Sequence, residues 1–212
     1  MPFVEISKNV FDCAVCEHKC DSTSKTVFDF DNDIEFSNYI QNLVIGLINR
    51  INNSIEAFQF EEETSYPDII VRRKNSSEEI AFIEIKVQAR TFMKIRELLP
   101  ESNLYPSETL ALNLSDLERY FAIKDKTHNP VFIVWCLVNR ACITGLNFES
   151  LKFFHQELDV LRRIRSSDTR DARKFRRKSG RGDVNESGEH KGVVVNYHFS
   201  INELNSGLPF FE

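Results

Sequence analysis

Tyr66-Pro67-Asp68-Ile69-Ile70-Val71-Arg72-Arg73, then Lys74-Asn75-Ser76-Ser77-Glu78, then Glu79-Ile80-Ala81-Phe82-Ile83-Glu84-Ile85-Lys86-Val87-Gln88: the fold turns on how this stretch is read. Two β-rich runs flank a polar, turn-forming segment, which is the pattern of a β-hairpin. A turn centred on Ser76 sets Asp68 opposite Glu84. Directly opposed residues share a face, with Cβ atoms roughly 5 Å apart. Strand alternation then places Glu84, Lys86 and Gln88 on that same face. Ala81, Ile83, Ile85 and Val87 take the other face, matched by Ile69 and Val71 on the first strand. That second face is apolar and suited to packing on a helix.

Two carboxylates this close repel one another unless a cation intervenes. Hard oxygen ligands suit Mg²⁺ or Mn²⁺, and the backbone carbonyl of Ile85 is a third donor within reach. Such an ion lowers the pKa of an attacking water and stabilises charge on a transferring phosphate. Lys86 adds an ammonium that can position the water, deprotonate it, or stabilise the transition state. The plainer alternative is that Pro-Asp opens a strand and that Glu84 and Lys86 form its wet face. Against that stand three polar residues alternating within a strongly apolar run, and an acid at the matching register of the partner strand.

Working outward, residues 34–54 read as a helix, with Phe36, Ile40, Leu43, Leu47 and Ile51 three or four apart and Asp31 or Asp33 to cap its start. Residues 55–60 read as a strand, 91–99 as a helix, and 114–122 as another helix capped by Asn113 or Ser115. Val131 to Val138 is apolar throughout and belongs in the middle of a sheet with both faces covered. Residues 141–148 suggest a neighbouring strand, 153–164 a short helix, and 192–201 a final strand. A helical turn from Ser200 and a docking Leu-Pro-Phe-Phe tail follow it. Residues 165–191, polar and containing Gly180, Gly182 and Gly188, read as a long loop. The order of helix, three strands, helix and strand specifies an α/β fold with a mixed sheet.

Asp68 with Glu84-Ile85-Lys86, on a hairpin preceded by a helix and followed by a helix and a strand, resembles the PD-(D/E)xK nuclease superfamily. The resemblance covers residues 34–138. It implies a restriction-endonuclease-like core: a central mixed β-sheet flanked by helices. It also implies Mg²⁺-dependent hydrolysis of DNA phosphodiesters that leaves 5′-phosphate and 3′-hydroxyl ends. Asp68, Glu84 and the Ile85 carbonyl would hold metal and Lys86 would handle the water. Many members carry a further acid on the first helix. Glu35 is the candidate, with Glu56 as runner-up, although Glu35 equally suits N-terminal capping. Gln88 resembles the extra Gln of E-x-K-x-Q members. A type II restriction enzyme is the leading role, working on double-stranded DNA as a homodimer so that both strands are cut. The alternatives are a repair, phage or transposon-associated nuclease, or a non-catalytic DNA-binding protein on the same fold.

Residues 1–30 form a Cys-rich segment ahead of the nuclease-like region at 31–212. Cys13 and Cys16 form a C-x-x-C pair, Cys20 and His18 lie close by, and the set has the chemistry of a structural Zn²⁺ site. His128, His155, Cys136 or Cys142 could complete it. An iron–sulfur cluster and a set of reduced surface thiols are the alternatives. Cys136 and Trp135 within the apolar strand read as core.

The 212 residues carry a net charge of −5, but the charge is segregated. Residues 31–70 hold eight acids against Arg50, whereas 161–181 hold ten bases against Asp168 and Asp171. Arg170, Arg173, Lys174, Arg176, Arg177, Lys178 and Arg181, within a basic loop at 162–181, are candidates to grip backbone phosphates and to become ordered on DNA. A solubilising loop is the alternative. No secretory leader is evident and no run approaches the ~20 apolar residues of a membrane span, so the default expectation is a cytoplasmic protein.

Overall fold

The computed structural model describes residues 30–60, 67–76, 78–88, 91–137, 151–176 and 194–210. The Cys-rich segment with Cys13, Cys16, His18 and Cys20 lies outside these residues, as do Arg177, Lys178 and Arg181 and the strand expected at 141–148.

The chain is a mixed α/β fold. Helix α1 (Phe30–Ile51) is followed by strands β1 (Ile55–Gln59), β2 (Ile69–Arg73) and β3 (Glu79–Gln88). A short helix α2 (Ile95–Leu98), strand β4 (Thr109–Asn113) and helix α3 (Leu114–Thr127) lead to β5 (Val131–Leu137). Then come β6 (Lys152–Glu157), helix α4 (Leu158–Ser167), β7 (Lys174–Arg176), β8 (Val195–Ser200) and β9 (Asn205–Ser206). The main sheet has the order β1-β2-β3-β5-β6-β9. Its inner pair β3 and β5 is parallel and its other pairs are antiparallel. As its unbroken apolar character requires, β5 lies inside the sheet, with Val131 and every residue from Ile133 to Leu137 fully buried.

One face of this sheet is covered by α1. Ile40, Val44 and Ile48, one per turn, pack on Ile69, Val71, Ala81, Ile83 and Ile85, each burial contributing about 1.5–3 kcal/mol. The buried stripe is therefore offset from the expected one. Phe36 and Ile51 remain 37 % and 55 % exposed, and Leu43 and Leu47 flank the contact. Spacing alone admits both stripes; packing on the apolar hairpin face selects the line of Ile40, Val44 and Ile48. Asn49 ties this helix to the edge strand, donating to Ala57 O at 2.8 Å and accepting Ala57 N–H at 2.7 Å. The exposed edge of β1 is thereby partly closed.

The other face carries α3, α4 and a second, three-stranded sheet of order β4-β8-β7. Leu110, Leu117, Tyr120, Leu161, Tyr197 and Phe199 meet Ile70, Phe82, Ile133 and Trp135 there. This second sheet is not anticipated from sequence. Its founding strand β4 is five residues long and runs directly into α3, so its period-2 signal is cut off before it becomes distinct.

The basic segment also departs from the loop reading over its described part. Lys152–Glu157 is a strand rather than the start of a helix, α4 continues to Ser167, and Lys174–Arg176 is a strand. Polar contacts order it. The Asp168 carboxylate accepts Ala172 N–H, Arg173 N–H and the Tyr197 hydroxyl at 2.9, 3.0 and 3.1 Å. Arg173 pairs with Glu203 at 2.7 Å. Apolar periodicity is blind to such an arrangement. The tail docks as expected: Gly207, at φ 89°, turns the chain, Leu208 is buried and Phe210 packs edge-on against Phe132.

Candidate active site

The hairpin register is the one the spacing predicts, with Ile69 opposite Ile83, Ile70 opposite Phe82 and Val71 opposite Ala81. A bulge at Val71/Arg72 then brings Arg72 against Glu79, where they form a 2.9 Å ion pair. Asp68 precedes β2 by one residue, at the mouth of the hairpin. Its carboxylate accepts Ile85 N–H at 2.7 Å and the Gln41 side-chain amide at 2.9 Å. Glu84 is only 3 % exposed. Its Oε1 accepts the Tyr120 hydroxyl at 2.6 Å and lies 2.8 Å from Lys86 Nζ. Its Oε2 is buried and, among the described residues, has no hydrogen-bond partner. Lys86 also lies 4.0 Å from Asp116 and 5.5 Å from the centre of the Tyr120 ring.

Proline at position 67 has a physical reason. Phe82 N–H donates to Pro130 O on the β5 side, so the odd-numbered residues of β3 turn their amides toward β2. Position 67 faces Ile85 in this register, and proline has no N–H to donate. The Asp68 carboxylate takes up the Ile85 N–H, and position 67 offers no ladder donor to the Ile85 carbonyl.

Electrostatics mark the same spot. Burial, reinforced by the Glu84 charge and only partly offset by the Ile85 N–H and Lys86, pushes the Asp68 carboxyl up to about 7. Burial works to lower the Lys86 pKa, but Glu84, Asp116 and Asp68 together hold it above the ordinary lysine value. Lys86 is therefore an ammonium at neutral pH. Two carboxylates facing one ammonium leave excess negative charge, which a proton or a cation relieves. The donors fit a hard divalent ion: the Asp68 carboxylate, the bare Glu84 Oε2 and the Ile85 carbonyl. Mg²⁺ is ordinarily held by one or two carboxylates together with waters and phosphate oxygens. Among the described residues no group of three or more His, Cys, Asp or Glu side chains is placed to hold a metal, so the protein's share here is two carboxylates and backbone.

The remaining sequence candidates lie elsewhere. Glu35 is exposed on α1, and the α1 residue that reaches Asp68 is Gln41. Six residues apart, the two point about 120° apart around the helix. Glu56 is exposed on β1, opposite Arg72. Both ends of the Gln88 amide engage β4, donating to Thr109 O at 3.0 Å and accepting Ala111 N–H at 3.1 Å. Gln88 thus joins the two sheets at the site's edge. Gln41, Asp116 and Tyr120 are absent from the sequence reading. The available cue is a polar residue beside a buried one: Gln41 next to Ile40, and Asp116 next to Leu117 with Tyr120 one turn on.

Of the distant thiol and imidazole candidates, Cys136 is core, its thiol pushed up to about 12 by burial. His155 Nδ1 lies 3.0 Å from Gly207 O, and His128 caps the C-terminus of α3 at φ 61°. Among the basic residues, Arg170 and Arg176 are exposed, whereas Arg173 is committed to Glu203 and Lys174 lies 3.5 Å from Asp171.

No family model matches the sequence, and no curated protein matches it at a significant level. Among solved structures the chain is similar to Hjc, a Holliday junction resolvase from the archaeal hyperthermophile Archaeoglobus fulgidus. The identity is 11 %, the match covers 78 % of this chain and 84 % of that one, and the TM-score is 0.35. A likeness of that depth carries no weight for function; the site's own residues do. No helix among the described residues is long and apolar enough to cross a membrane.

Proposed function

We propose that this protein is a divalent-metal-dependent DNA endonuclease of the PD-(D/E)xK kind, with Asp68, Glu84 and Lys86 as its catalytic set. The observation that carries this reading is the bare Oε2 of Glu84, buried beside a second carboxylate that retains its proton to about pH 7. A buried, unpaired carboxylate oxygen is costly, and a protein built only for stability has no use for one next to another acid. A cation at Asp68, Glu84 Oε2 and the Ile85 carbonyl removes that cost.

In the reaction, water oxygen forms a bond to phosphorus and the bond from phosphorus to the 3′-oxygen breaks. The products are a 5′-phosphate and a 3′-hydroxyl. Mg²⁺ or Mn²⁺, when bound, supplies an acidified water and charge stabilisation at the phosphate. Lys86, an ammonium anchored by Glu84, presents positive charge to the phosphate oxygens in a partly desolvated setting, where such a charge acts strongly. Asp68 is fixed by Gln41 and by the Ile85 N–H, so its carboxylate does not have to reorganise during turnover.

Arg170, in the turn before β7, and Arg176, on that edge strand, are exposed and support a phosphate-gripping surface on double-stranded DNA. One catalytic set per chain cuts one strand, so a restriction endonuclease of this form works as a homodimer. Digestion of a mixed plasmid and of a branched junction with Mg²⁺, followed by sequencing of the fragment ends, tests the reading. Fixed-sequence ends identify a restriction enzyme, and cuts confined to the junction identify a resolvase. An intact plasmid and an intact junction in both Mg²⁺ and Mn²⁺ would overturn the nuclease reading.

A further inference from the structure

We propose that helix α3 is the positioning element of this site, with Tyr120 aiming Glu84 so that only Oε2 faces the cation and Asp116 steadying Lys86. The inference rests on the metallonuclease reading and deepens it. Neither residue belongs to the hairpin; α3 reaches the site from the far end of the crossover between β3 and β5.

Asp116 and Tyr120 are four residues apart and so share one helix face. That face is fixed from both ends. Leu117 and Tyr120 are fully buried in the core, and Asn113, at the N-cap of α3, donates to Asp116 at 3.3 Å. The Tyr120 hydroxyl and Lys86 Nζ converge on the same oxygen, Glu84 Oε1, at 2.6 and 2.8 Å. Two donors occupy the two lone-pair directions of that oxygen, while Oε2 has none among the described residues. The terminal torsion of a glutamate is broad, so a carboxylate held by Lys86 alone can turn and share both oxygens with the ammonium. The phenol hydroxyl removes that freedom. Asp116 acts on the other partner: 4.0 Å from Lys86 Nζ and 3.7 Å from Arg119, it gives the ammonium a second anchor beyond Glu84.

Residues that orient a metal ligand typically change metal affinity or activity by about 10–100-fold when removed. Tyr120→Phe keeps the ring and deletes only the hydroxyl. Tyr197→Phe is its control, since Tyr197 is equally buried and its hydroxyl donates at 3.1 Å to Asp168, away from the hairpin. Mn²⁺ affinity is measured by calorimetric titration of the full chain, and cleavage is measured against Mg²⁺ concentration. The expected results are Mn²⁺ binding about tenfold or more weaker in Tyr120→Phe and unchanged in Tyr197→Phe. The lost cleavage in Tyr120→Phe should recover at high Mg²⁺. Asp116→Asn should show the converse, with unaltered Mn²⁺ affinity but turnover at saturating Mg²⁺ about tenfold lower through a misplaced ammonium.

Wild-type affinity in Tyr120→Phe, or equal weakening in Tyr197→Phe, would overturn the proposal. Should Tyr120→Phe not fold, Asp116→Asn decides, and unchanged turnover refutes the role of α3. Glu84→Gln separates this inference from the reading beneath it. No Mn²⁺ binding in the wild type, or binding undiminished in Glu84→Gln, defeats both. Binding lost in Glu84→Gln but intact in Tyr120→Phe defeats the inference alone.

Discussion

Replacing Asp68 with asparagine should stabilise the metal-free protein at alkaline pH while abolishing its response to Mg²⁺. Burial and Glu84 raise the Asp68 carboxyl from 3.8 to about 7. Folding therefore takes up a proton between those values. The stability linked to that uptake is fully present below 3.8, falls by about 1.4 kcal/mol per pH unit across the window, and is lost above about 7. The difference between those two values caps the whole penalty at about 4 kcal/mol, and the carboxylate's remaining contact with water lowers it. Asparagine is isosteric and uncharged. Its oxygen can accept the Ile85 N–H, and a turn of the Gln41 amide lets that side chain accept instead of donate. The assay is urea unfolding of both proteins in EDTA from pH 5 to 8.5. The advantage of Asp68→Asn should grow by about 1.4 kcal/mol per pH unit and flatten above about pH 7. Adding Mg²⁺ at pH 8 should raise the wild-type midpoint alone, since an ion that binds only the folded state stabilises it by mass action. An Asp68→Asn protein no more stable than the wild type at pH 8.5 in EDTA would refute the electrostatic reasoning.

Two further perturbations address the frame around the site. Asn49→Ala strips both hydrogen bonds from Ala57 on the sheet edge and should lower unfolding free energy by about 1–3 kcal/mol, measured by denaturant titration. Arg170→Glu with Arg176→Glu should weaken duplex binding and flatten its salt dependence without moving the melting temperature. Arg173→Ala, by contrast, removes the ion pair with Glu203 and leaves that carboxylate only the Ser200 N–H, and should lower stability by about 1–2 kcal/mol. If the exposed pair destabilised the fold as much as Arg173→Ala, the division between structural and DNA-facing cations would fall.

The hairpin was legible because period-2 patterning, a polar turn and an acid at each matching position all specify one register. A one-residue slip would have turned Glu84 and Lys86 onto α1, so the apolar face and the charged face constrain one another. The bulge at Val71/Arg72 was not legible, since it shifts the ladder only beyond the residues that set the site. The helix contact to Asp68 was not legible for a similar reason. An acid near a helix start looks like a ligand, yet the helical rotation between Glu35 and Gln41 decides which of them faces Asp68. The roles of Tyr120 and Asp116 depend on a crossover of more than forty residues from β3 to β5, and local pattern does not encode where such a crossover lands. The basic segment shows the reverse error. Its polarity and glycines read as a loop, while Asp168, Tyr197 and Glu203 order its first half through contacts that span about thirty residues.

The most direct test is cleavage of supercoiled plasmid with and without Mg²⁺ by the wild type, Asp68→Asn, Glu84→Gln and Lys86→Met, each verified as folded and competent to bind duplex DNA. The account predicts Mg²⁺-dependent scission by the wild type, ending in 5′-phosphates, and its loss by at least about 10²-fold in all three variants. Cleavage that persists in Glu84→Gln and Lys86→Met, or proceeds equally in EDTA, would contradict it.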